Sequence, residues 1–463
     1  MVVALGETVL WAMREFVSAR LGDARLRLRL AKLVAAFTVY PNGSLPQTFS
    51  DWGSLKAAYR FFSNRRVQAR SIFDAHAAST MERLQGHPVV LAAQDTTYFN
   101  FTSHPRTSGL GPIGANNTKQ RGFLMHSAMA VDADNGEPLG LMGAVLWSRA
   151  ERAPAVRDKK TRSARTPQEK ESARWLKMLQ HVTQGVPAGT EVVAVSDRES
   201  DTIEYLHLAV TGGHKVLVRA THDRKLATGE EQRLWQAVEG ADVLGVVSVT
   251  VPRADDRPAR QAIVALQATT VTVAPPAGKR ALGPVPVTAV LAREAMCPEG
   301  QEPLHWLLLT TLPVSTVEDA ARCLRWYTYR WRIERFHFVL KSGCRVEELQ
   351  LTEAARIQRA LAAFSVVAWR LLSLTYAARE HPDEPCTRFL SAAEWQALAC
   401  FVQKTPEPPS TPPDLRTAVR WIAKLGGFLG RKSDGEPGVK VLWRGLRRLP
   451  DITEMWRIMR LRQ

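Results

Sequence analysis

The sequence predicts a mixed α/β protein with helical segments at both ends, and three observations support this fold class. Apolar residues recur at helical spacing near the N-terminus and again over the last third of the chain. Two short apolar runs, residues 87–93 and 191–196, have the profile of buried strands that end in polar residues. From residue 214 to about 313 the pattern changes to short alternating strands, which indicates a β-rich block. With 463 residues, the chain is long enough for roughly two to four domains.

The first predicted element is a basic helical region over residues 5–40. Arg25 and Arg29, in the stretch RLGDARLRLRLAKL, stand four residues apart and therefore share one helix face. Such a face either contacts a polyanion or is an ordinary solvated charged surface, and this segment alone leaves both readings open. After the prolines at positions 41 and 46, the stretch KAAYRFFSNRRV resumes a basic helix.

Charge and composition restrict the class of partner. The 62 Lys and Arg residues exceed the 45 Asp and Glu residues by 17, which favours nucleic acid as the partner. We find no run of eighteen apolar residues, so a membrane partner is not expected. The five cysteines are scattered without a C-x-x-C pair, and the N-terminus lacks an apolar signal segment. These features predict free thiols and a cytoplasmic protein.

The two predicted buried strands each end at an aspartate, Asp95 and Asp197. A carboxylate at the tip of a strand can face a cleft, and the two sites share this geometry. The alternative is that each Asp caps the turn that follows, which is the commoner role of Asp after a strand. Glu199 and Asp201 lie in the same DRESD string as Asp197 and are competing candidates.

A helix predicted to run from about residue 317 to residue 341 carries Tyr327, Arg330, Glu334 and Lys341, spaced by three, four and seven residues. At about 100° per residue, these four side chains lie within roughly 60° of arc. A salt-bridged surface face is the alternative, since Arg330 and Glu334 form an ordinary i,i+4 pair. With the two strand-tip aspartates, Glu334 makes three carboxylates, which suit hard divalent cations such as Mg²⁺.

This set of residues predicts phosphoryl transfer on a nucleic acid. Two bound ions would support in-line displacement at phosphorus. Arg330 and Lys341 would hold phosphates, and Tyr327 would donate a hydrogen bond or stack on a base. The sequence contains no P-loop, no strand-linked G-x-G-x-x-G and no G-x-S-x-G or H-E-x-x-H motif, so nucleotide-driven, dinucleotide-dependent and hydrolase chemistries of those types are unsupported.

The string Tyr327-x2-Arg330-x3-Glu334-x6-Lys341 is the signature of the YREK group of bacterial insertion-sequence transposases, which have a DDE active site. The wider chain closely resembles the cut-and-paste transposase of transposon five, and the resemblance spans nearly its whole length. The matching strings are SARLGDARLRLRL, AYRF, DTT at Asp95, EKES, AVSDRESD around Asp197, PLHWLLLT, YRWRIERFH and LGGF.

The resemblance implies a domain order. A helical domain that binds transposon ends is expected at residues 1–70, and an RNase H-like catalytic domain at 71–372 with a β-rich insertion at about 214–313. A helical dimerisation domain is expected at 373–463. The resemblance also implies that Asp95, Asp197 and Glu334 are catalytic and bind two Mg²⁺ ions per active site, with Mn²⁺ able to substitute.

The activity implied is cut-and-paste transposition of double-stranded DNA by a homodimer in a synaptic complex, on the bacterial nucleoid. Water nicks a strand, the freed 3′ hydroxyl forms a hairpin, and the reopened end joins target DNA. Trp306 matches a tryptophan that stacks on a displaced base, Arg25 and Arg29 match the end-recognition helix, and Arg219 matches a DNA-contacting strand. The alternatives are a metal-dependent nuclease without strand transfer and a DNA-binding protein without catalysis.

Overall fold

The computed structural model describes residues 5–49, 51–114, 119–150, 172–229, 232–251, 260–431 and 434–460. The chain folds into two compact units. Unit boundaries fall after Asp95 and after Trp331. Asp95, Asp197 and Arg330 therefore belong to the second unit, and Glu334 and Lys341 belong to the first. The first unit comprises Met1–Gln85, Thr96–Ala153 and Arg332–Gln463, and the second comprises Gly86–Asp95 and Pro154–Trp331.

The N-terminal part of the first unit is helical, as predicted. Side chains that cap the helix starts explain where these helices begin, because Asp23, Ser44 and Asp51 each accept a hydrogen bond from an N–H of the following turn. The helices are α1 (Leu5–Glu15), α2 (Ala24–Val39), α3 (Leu45–Thr48), α4 (Trp52–Ser63) and α5 (Ala69–Arg83).

The first strands of the chain are β1 (Val89–Asn100), β2 (Gly111–Pro112), β3 (Arg121–Asp132) and β4 (Pro138–Trp147). Strand β1 begins in the second unit and continues into the first, where it borders β3. Strands β3 and β4 are antiparallel, and β3 is buried along almost its whole length. The turn between them, residues 133–137, is therefore fixed on both sides by buried strands.

The second unit contains α6 (Ala173–Val182), β5 (Glu191–Ser196), a 3₁₀ turn (Arg198–Ser200), α7 (Ile203–Thr211) and β6 (Lys215–Arg219). It continues with α8 (Leu234–Glu239), β7 (Val243–Val251), β8 (Arg260–Val273), a 3₁₀ segment (Ala277–Leu282), β9 (Val285–Glu294), β10 (His305–Thr310) and α9 (Val317–Tyr329).

The strand order in the second unit is β1-β5-β6-β10-β9-β8-β7. Strands β1, β5 and β6 are parallel, and the others join antiparallel. The predicted β-rich block is confirmed, and its strands extend the same sheet as β5. The apolar residues 192–195 of β5 suit this position and are all buried, as is typical of an interior parallel strand. Trp175, Tyr205 and Leu291 lie in the core.

The C-terminal part of the first unit is helical, which confirms the predicted α/β class with helices at both ends. Its core includes Trp395, Ile422 and Leu442. The elements are α10 (Trp331–Phe338), a π-helical turn (Val339–Gly343), a 3₁₀ turn (Val346–Glu348), α11 (Ala354–Glu380), a 3₁₀ turn (Cys386–Arg388), α12 (Ala392–Gln403), α13 (Leu415–Leu425), α14 (Val439–Leu446) and α15 (Leu449–Arg460).

Within the described residues, α11 is long and apolar enough to span a membrane by length and composition, but 94% of its most apolar window is buried inside the protein. A helix buried to this extent is typical of the core of a folded unit.

The helix predicted to run to about Lys341 is present, but it is not a regular α-helix throughout. A turn at Arg330, whose φ of −53° and ψ of −31° stay α-helical, separates α9 from α10, and the helix changes to a π-helical turn at Val339. In that turn the Cys344 N–H donates to the Val339 carbonyl at 2.8 Å, an i→i+5 bond. The extra residue per turn means that the 100° spacing used to place Lys341 does not hold there.

Candidate active site

The two aspartates predicted at strand ends lie side by side in the second unit. The prediction is correct for Asp197, which directly follows β5, and wrong for Asp95, because β1 continues past Asp95 to Asn100. Ala93 of β1 pairs with Val195 of β5 in parallel register. Continuing that register by two residues in each chain segment sets Asp95 beside Asp197, and neighbouring strands are about 4.8 Å apart. Both side chains are half-buried. The proximity of these two residues is therefore a direct consequence of the strand pairing.

The environment of Asp197 reflects this proximity. Burial raises the pKa of Asp197 above its ordinary value, and the charge of Asp95 acts in the same direction. The Glu199 N–H, which donates to Asp197 Oδ1 at 2.9 Å, and the positive charge of Arg330 lower the pKa. Asp197 thus also caps the turn that follows it, as the alternative reading predicted. This cap uses only Oδ1 of Asp197, so capping does not prevent the carboxylate from also facing Asp95.

The neighbouring acids of the DRESD string already have protein partners. Asp201 is 1% exposed, accepts the Thr221 N–H at 2.7 Å and pairs with Arg224 at 2.5 Å. Glu199 is exposed and pairs with Arg174 at 2.5 Å. The Asp201 carboxylate fixes the loop after β6 onto the turn after Asp197. Glu199 and Asp201 are thus paired with arginines, and Asp197 is the residue of this string that lies beside Asp95.

The aspartate pair has the donor chemistry of a hard cation site. Two half-buried carboxylates with like charge repel each other, and a divalent cation with oxygen ligands would remove that repulsion. In the described parts of the chain, no three His, Cys, Asp or Glu side chains form a cluster that could hold a metal ion. Asp95 and Asp197 are therefore a pair of donors that would need a third.

An aromatic–arginine cluster, formed by Arg219, Trp306, Tyr327 and Arg330, belongs to the same unit as the aspartate pair. The Trp306 and Tyr327 rings meet edge-on, with centroids 5.4 Å apart. The Arg219 guanidinium lies 5.7 Å from the Trp306 ring, and that of Arg330 lies 5.7 Å from the Tyr327 ring. Arg330 is close enough to Asp197 to lower the pKa of that carboxyl, so the cluster borders the aspartate pair.

Burial lowers the pKa of Arg219 below its ordinary value, and a hydrogen bond donated to the Tyr327 hydroxyl offsets only part of this effect. An arginine side chain stays charged in proteins, so the cluster keeps its two positive charges. Tyr327 is 2% exposed, and its ring is covered by the protein. The ring therefore supports Trp306 and the two arginines, while the half-buried Trp306 keeps part of its surface open. Stacking of Trp306 on a base stays a prediction.

Glu334 and Lys341 belong to the first unit. Glu334 is half-buried in the first turn of α10, four residues after Arg330. Because the aspartate pair belongs to the second unit, the complete triad remains a prediction from the sequence. Lys341 lies in the π-helical turn, with Nζ 4.8 Å from the Tyr98 ring and 5.5 Å from the Phe99 ring. The sequence pattern gives no sign of the contact between Tyr98 and Lys341, because the two residues are far apart in the chain.

The predicted end-binding residues lie on α2, whose helical character is confirmed. Arg25 is exposed and Arg29 is half-exposed. The Asp23 side chain accepts the Arg25 N–H at 2.7 Å and fixes the start of this helix. Neighbouring Arg27 donates to the Val17 carbonyl and so joins α2 to the end of α1. The Arg25 side chain is thus presented from a capped helix rather than from a loop.

Comparison with protein families gives two matches, one at each end of the chain. A model described as Transposase DNA-binding matches residues 9–67, which include Arg25 and Arg29. A model described as Transposase Tn5 dimerisation domain matches residues 366–462, which begin within α11. Neither match covers half of the chain. Taken together, a DNA-binding region at one end and a dimerisation region at the other support a Tn5-like DNA transposase.

Proposed function

We propose that this chain is a DDE transposase of the YREK group that cuts DNA at transposon ends and joins the 3′ ends to target DNA. The observation that carries the proposal is the position of Asp95 beside Asp197, just beyond the last paired residues of the parallel strands β1 and β5 and next to a cluster with two arginines. Glu334 is the proposed third carboxylate, because it follows Arg330 by four residues in the YREK spacing.

In this proposal Asp95, Asp197 and Glu334 hold two Mg²⁺ ions, and Mn²⁺ can replace them. When bound, such ions activate the attacking oxygen and stabilise the leaving oxygen of an in-line displacement. Support comes from the donor set, since carboxylates are the ligands that Mg²⁺ prefers and the like charges of Asp95 and Asp197 favour a cation between them.

The other site residues bind and orient DNA in the proposed reaction. Arg330 and Arg219 contact phosphate oxygens, for which the planar guanidinium is suited to bidentate hydrogen bonding. Lys341 contributes a further positive charge to a phosphate. Trp306 stacks on a base displaced from the duplex, which is an ordinary role of an aromatic side chain beside single-stranded DNA. Tyr327 holds Trp306 and Arg219 in place through the contacts described above.

The proposed sequence of bond changes has four displacements at phosphorus. Water attacks a phosphodiester and releases a 3′ hydroxyl. That hydroxyl attacks the opposite strand, which closes a hairpin on the transposon end and releases the flanking DNA. Water then reopens the hairpin, and the 3′ hydroxyl attacks a target phosphodiester, so that each step breaks one P–O bond and forms another. We further propose that Arg25 and Arg29 contact the ends, and that two copies act together on nucleoid DNA in the bacterial cytoplasm.

The test uses purified full-length protein and DNA fragments carrying the sequences that flank its coding region. Products formed with Mg²⁺ or with a chelator are resolved on denaturing gels, and joining is scored with a target plasmid. Asp95→Asn, Asp197→Asn and Glu334→Gln should abolish nicking and spare end binding, because each removes a carboxylate but leaves the basic surface. Glu199→Gln, a change at an exposed acid two residues from Asp197, is the matched control and should nick normally.

Other outcomes would overturn parts of the proposal. Wild-type nicking rates in Glu334→Gln would remove Glu334 from the site. Metal-dependent nicking with no hairpin and no joined product would indicate a nuclease. End binding without cleavage at any metal concentration would leave a DNA-binding protein in which Asp95 and Asp197 have a structural role.

A further inference from the structure

Tyr98 is an exposed aromatic residue on the same strand as Asp95, three positions further along β1. Its side chain is 52% exposed, whereas its neighbours Thr97 and Phe99 are buried. A large aromatic ring in this position is not required for the core, because Phe99 already fills the buried face of the strand. The ring of Tyr98 instead supports one charged group, the ammonium of Lys341, whose Nζ lies 4.8 Å from the ring centroid.

Two further contacts in the first unit hold the strand against the segment that carries Lys341. The Lys341 ammonium is also 5.5 Å from the Phe99 ring. Beyond Lys341, the Glu347 carboxylate accepts the backbone N–H of Asn100 at 2.7 Å. Contacts at Tyr98, Phe99 and Asn100 therefore fix the end of β1 relative to the π-helical turn, so that the Tyr98 ring faces a defined position of the lysine.

A lysine side chain has four rotatable bonds, and an exposed one samples many rotamers. An ammonium over the face of an aromatic ring is attracted by the ring quadrupole, and this attraction restricts those rotamers. Lys341 is itself partly exposed, and so is the Tyr98 ring beneath its ammonium. A cation that is both restricted and accessible is prepared to bind a phosphate with little further loss of entropy.

We propose that Tyr98 is a positioning residue for DNA, which acts by holding the Lys341 ammonium over its ring for contact with a phosphodiester. This inference rests on the proposed function and extends it to a residue outside the YREK signature. The ring, rather than the phenolic hydroxyl, carries the effect. Tyr98→Phe therefore conserves the function, and Tyr98→Ala removes it without emptying a buried site.

The experiment measures single-turnover nicking of the flanking-sequence DNA with Mg²⁺ by wild type, Tyr98→Phe, Tyr98→Ala, Lys341→Ala and the Tyr98→Ala/Lys341→Ala double variant. Tyr98→Ala should slow nicking about two- to five-fold, the range expected for one exposed cation–π contact. Tyr98→Phe should match wild type. The double variant should be no slower than Lys341→Ala alone, because Tyr98 acts through Lys341. Val145→Ala, at a strand residue that is also 52% exposed, is the control and should match wild type.

A second measurement reports the contact itself and does not depend on cleavage. Reductive methylation with ¹³C-formaldehyde gives each lysine an NMR signal, and the signal absent from Lys341→Ala identifies Lys341. The Tyr98 ring current should shift that signal, Tyr98→Phe should keep the shift, and Tyr98→Ala should abolish it. An unshifted Lys341 signal in wild type would overturn the inference even if the DNA is not cleaved.

Failure of this inference is distinguishable from failure of the proposed function. Slow nicking by Lys341→Ala with wild-type nicking by Tyr98→Ala would overturn the role of Tyr98 alone. Equal losses in Tyr98→Phe and Tyr98→Ala would assign the effect to the hydroxyl and likewise overturn it. A wild-type rate in Lys341→Ala would overturn both the role of Tyr98 and the proposed phosphate contact of Lys341.

Discussion

Replacing Glu15 with Gln should strongly destabilise the first unit, because this carboxylate joins α1 to α5 from a buried position. Glu15 is 3% exposed and bonds His76 Nδ1 at 2.5 Å and Arg83 Nη1 at 2.9 Å. On its other side, His76 Nε2 accepts the Leu141 N–H at 3.0 Å. The proton of the neutral His76 ring is therefore on Nδ1 and is donated to Glu15. These bonds connect α1, α5 and β4.

The magnitude follows from the pKa of Glu15. Burial raises this pKa, but the charges and hydrogen bonds of His76 and Arg83 outweigh burial and lower it from 4.5 to about 2. At about 1.36 kcal/mol per pKa unit, the ionised carboxylate contributes about 3 kcal/mol to folding at neutral pH. We expect Glu15→Gln to lower the free energy of unfolding by about that amount.

The sign of the pH dependence is fixed by the direction of both shifts. A depressed carboxyl pKa stabilises the fold above pH 4.5, and this stabilisation is lost as the pH falls toward about 2. Burial also lowers the pKa of His76 below 6.5, so its neutral form is favoured by folding, and protonation at low pH opposes folding. Both groups make the first unit less stable in acid.

The assay is urea unfolding of the full chain followed by tryptophan fluorescence, since Trp369 lies 4.9 Å from His76 and reports this region. The difference between wild type and Glu15→Gln should be largest above pH 5 and should shrink steadily below pH 4.5. Glu82→Gln, at an exposed position of α5, is the control and should change stability little. A loss below about 1 kcal/mol at pH 7, or a loss independent of pH, would refute the reasoning.

Two other substitutions test parts of the structure outside this network. Asp201→Asn breaks the buried pair with Arg224 and should lower the free energy of unfolding by about 3–5 kcal/mol, measured by thermal unfolding with Glu199→Gln as the control. Equal stability of the two variants would contradict the role of Asp201 in fixing the loop after β6. Arg25→Ala should reduce the slope of log affinity for end DNA against log salt concentration by about one. The control Lys424→Ala should have the wild-type slope. A wild-type slope for Arg25→Ala would remove Arg25 from the DNA-contacting surface.

The sequence predicted the neighbouring aspartates because each comes shortly after a short apolar run, and such runs occur in buried parallel strands. The parallel register then brings Asp95 and Asp197 together, although β1 continues past Asp95 to Asn100, which the sequence did not predict. The order of the β-rich block could not be read in this way, since β10 lies between β6 and β9 although it is the last strand of the block. That order depends on pairing between distant segments, and local alternation does not encode it.

The helix that carries the YREK signature shows a different limit. Its residue types predicted the elements around Arg330 and Glu334, but an i→i+5 turn has no apolar periodicity that distinguishes it from an α-helix. The 100° spacing used to place Lys341 therefore does not hold in this turn, and the contact of Lys341 with Tyr98 was not foreseen. Trp306 shows the same limit on a strand. Its strand was predicted, but its contact with the Tyr327 ring was not, because Tyr327 lies on the helix that follows that strand.

Within the first unit, the turn between β3 and β4 joins the helix of Glu334 to the region that matches the dimerisation model. The Gly136 carbonyl accepts a hydrogen bond from Arg332, two residues before Glu334, at 2.9 Å. The next residue, Glu137, is 4% exposed and pairs with Arg388 at 2.7 Å. The Pro138 carbonyl accepts the Trp369 indole N–H at 3.0 Å. Since residues 366–462 contain both Trp369 and Arg388, the matched region is part of the support that fixes α10 rather than a separate appendage.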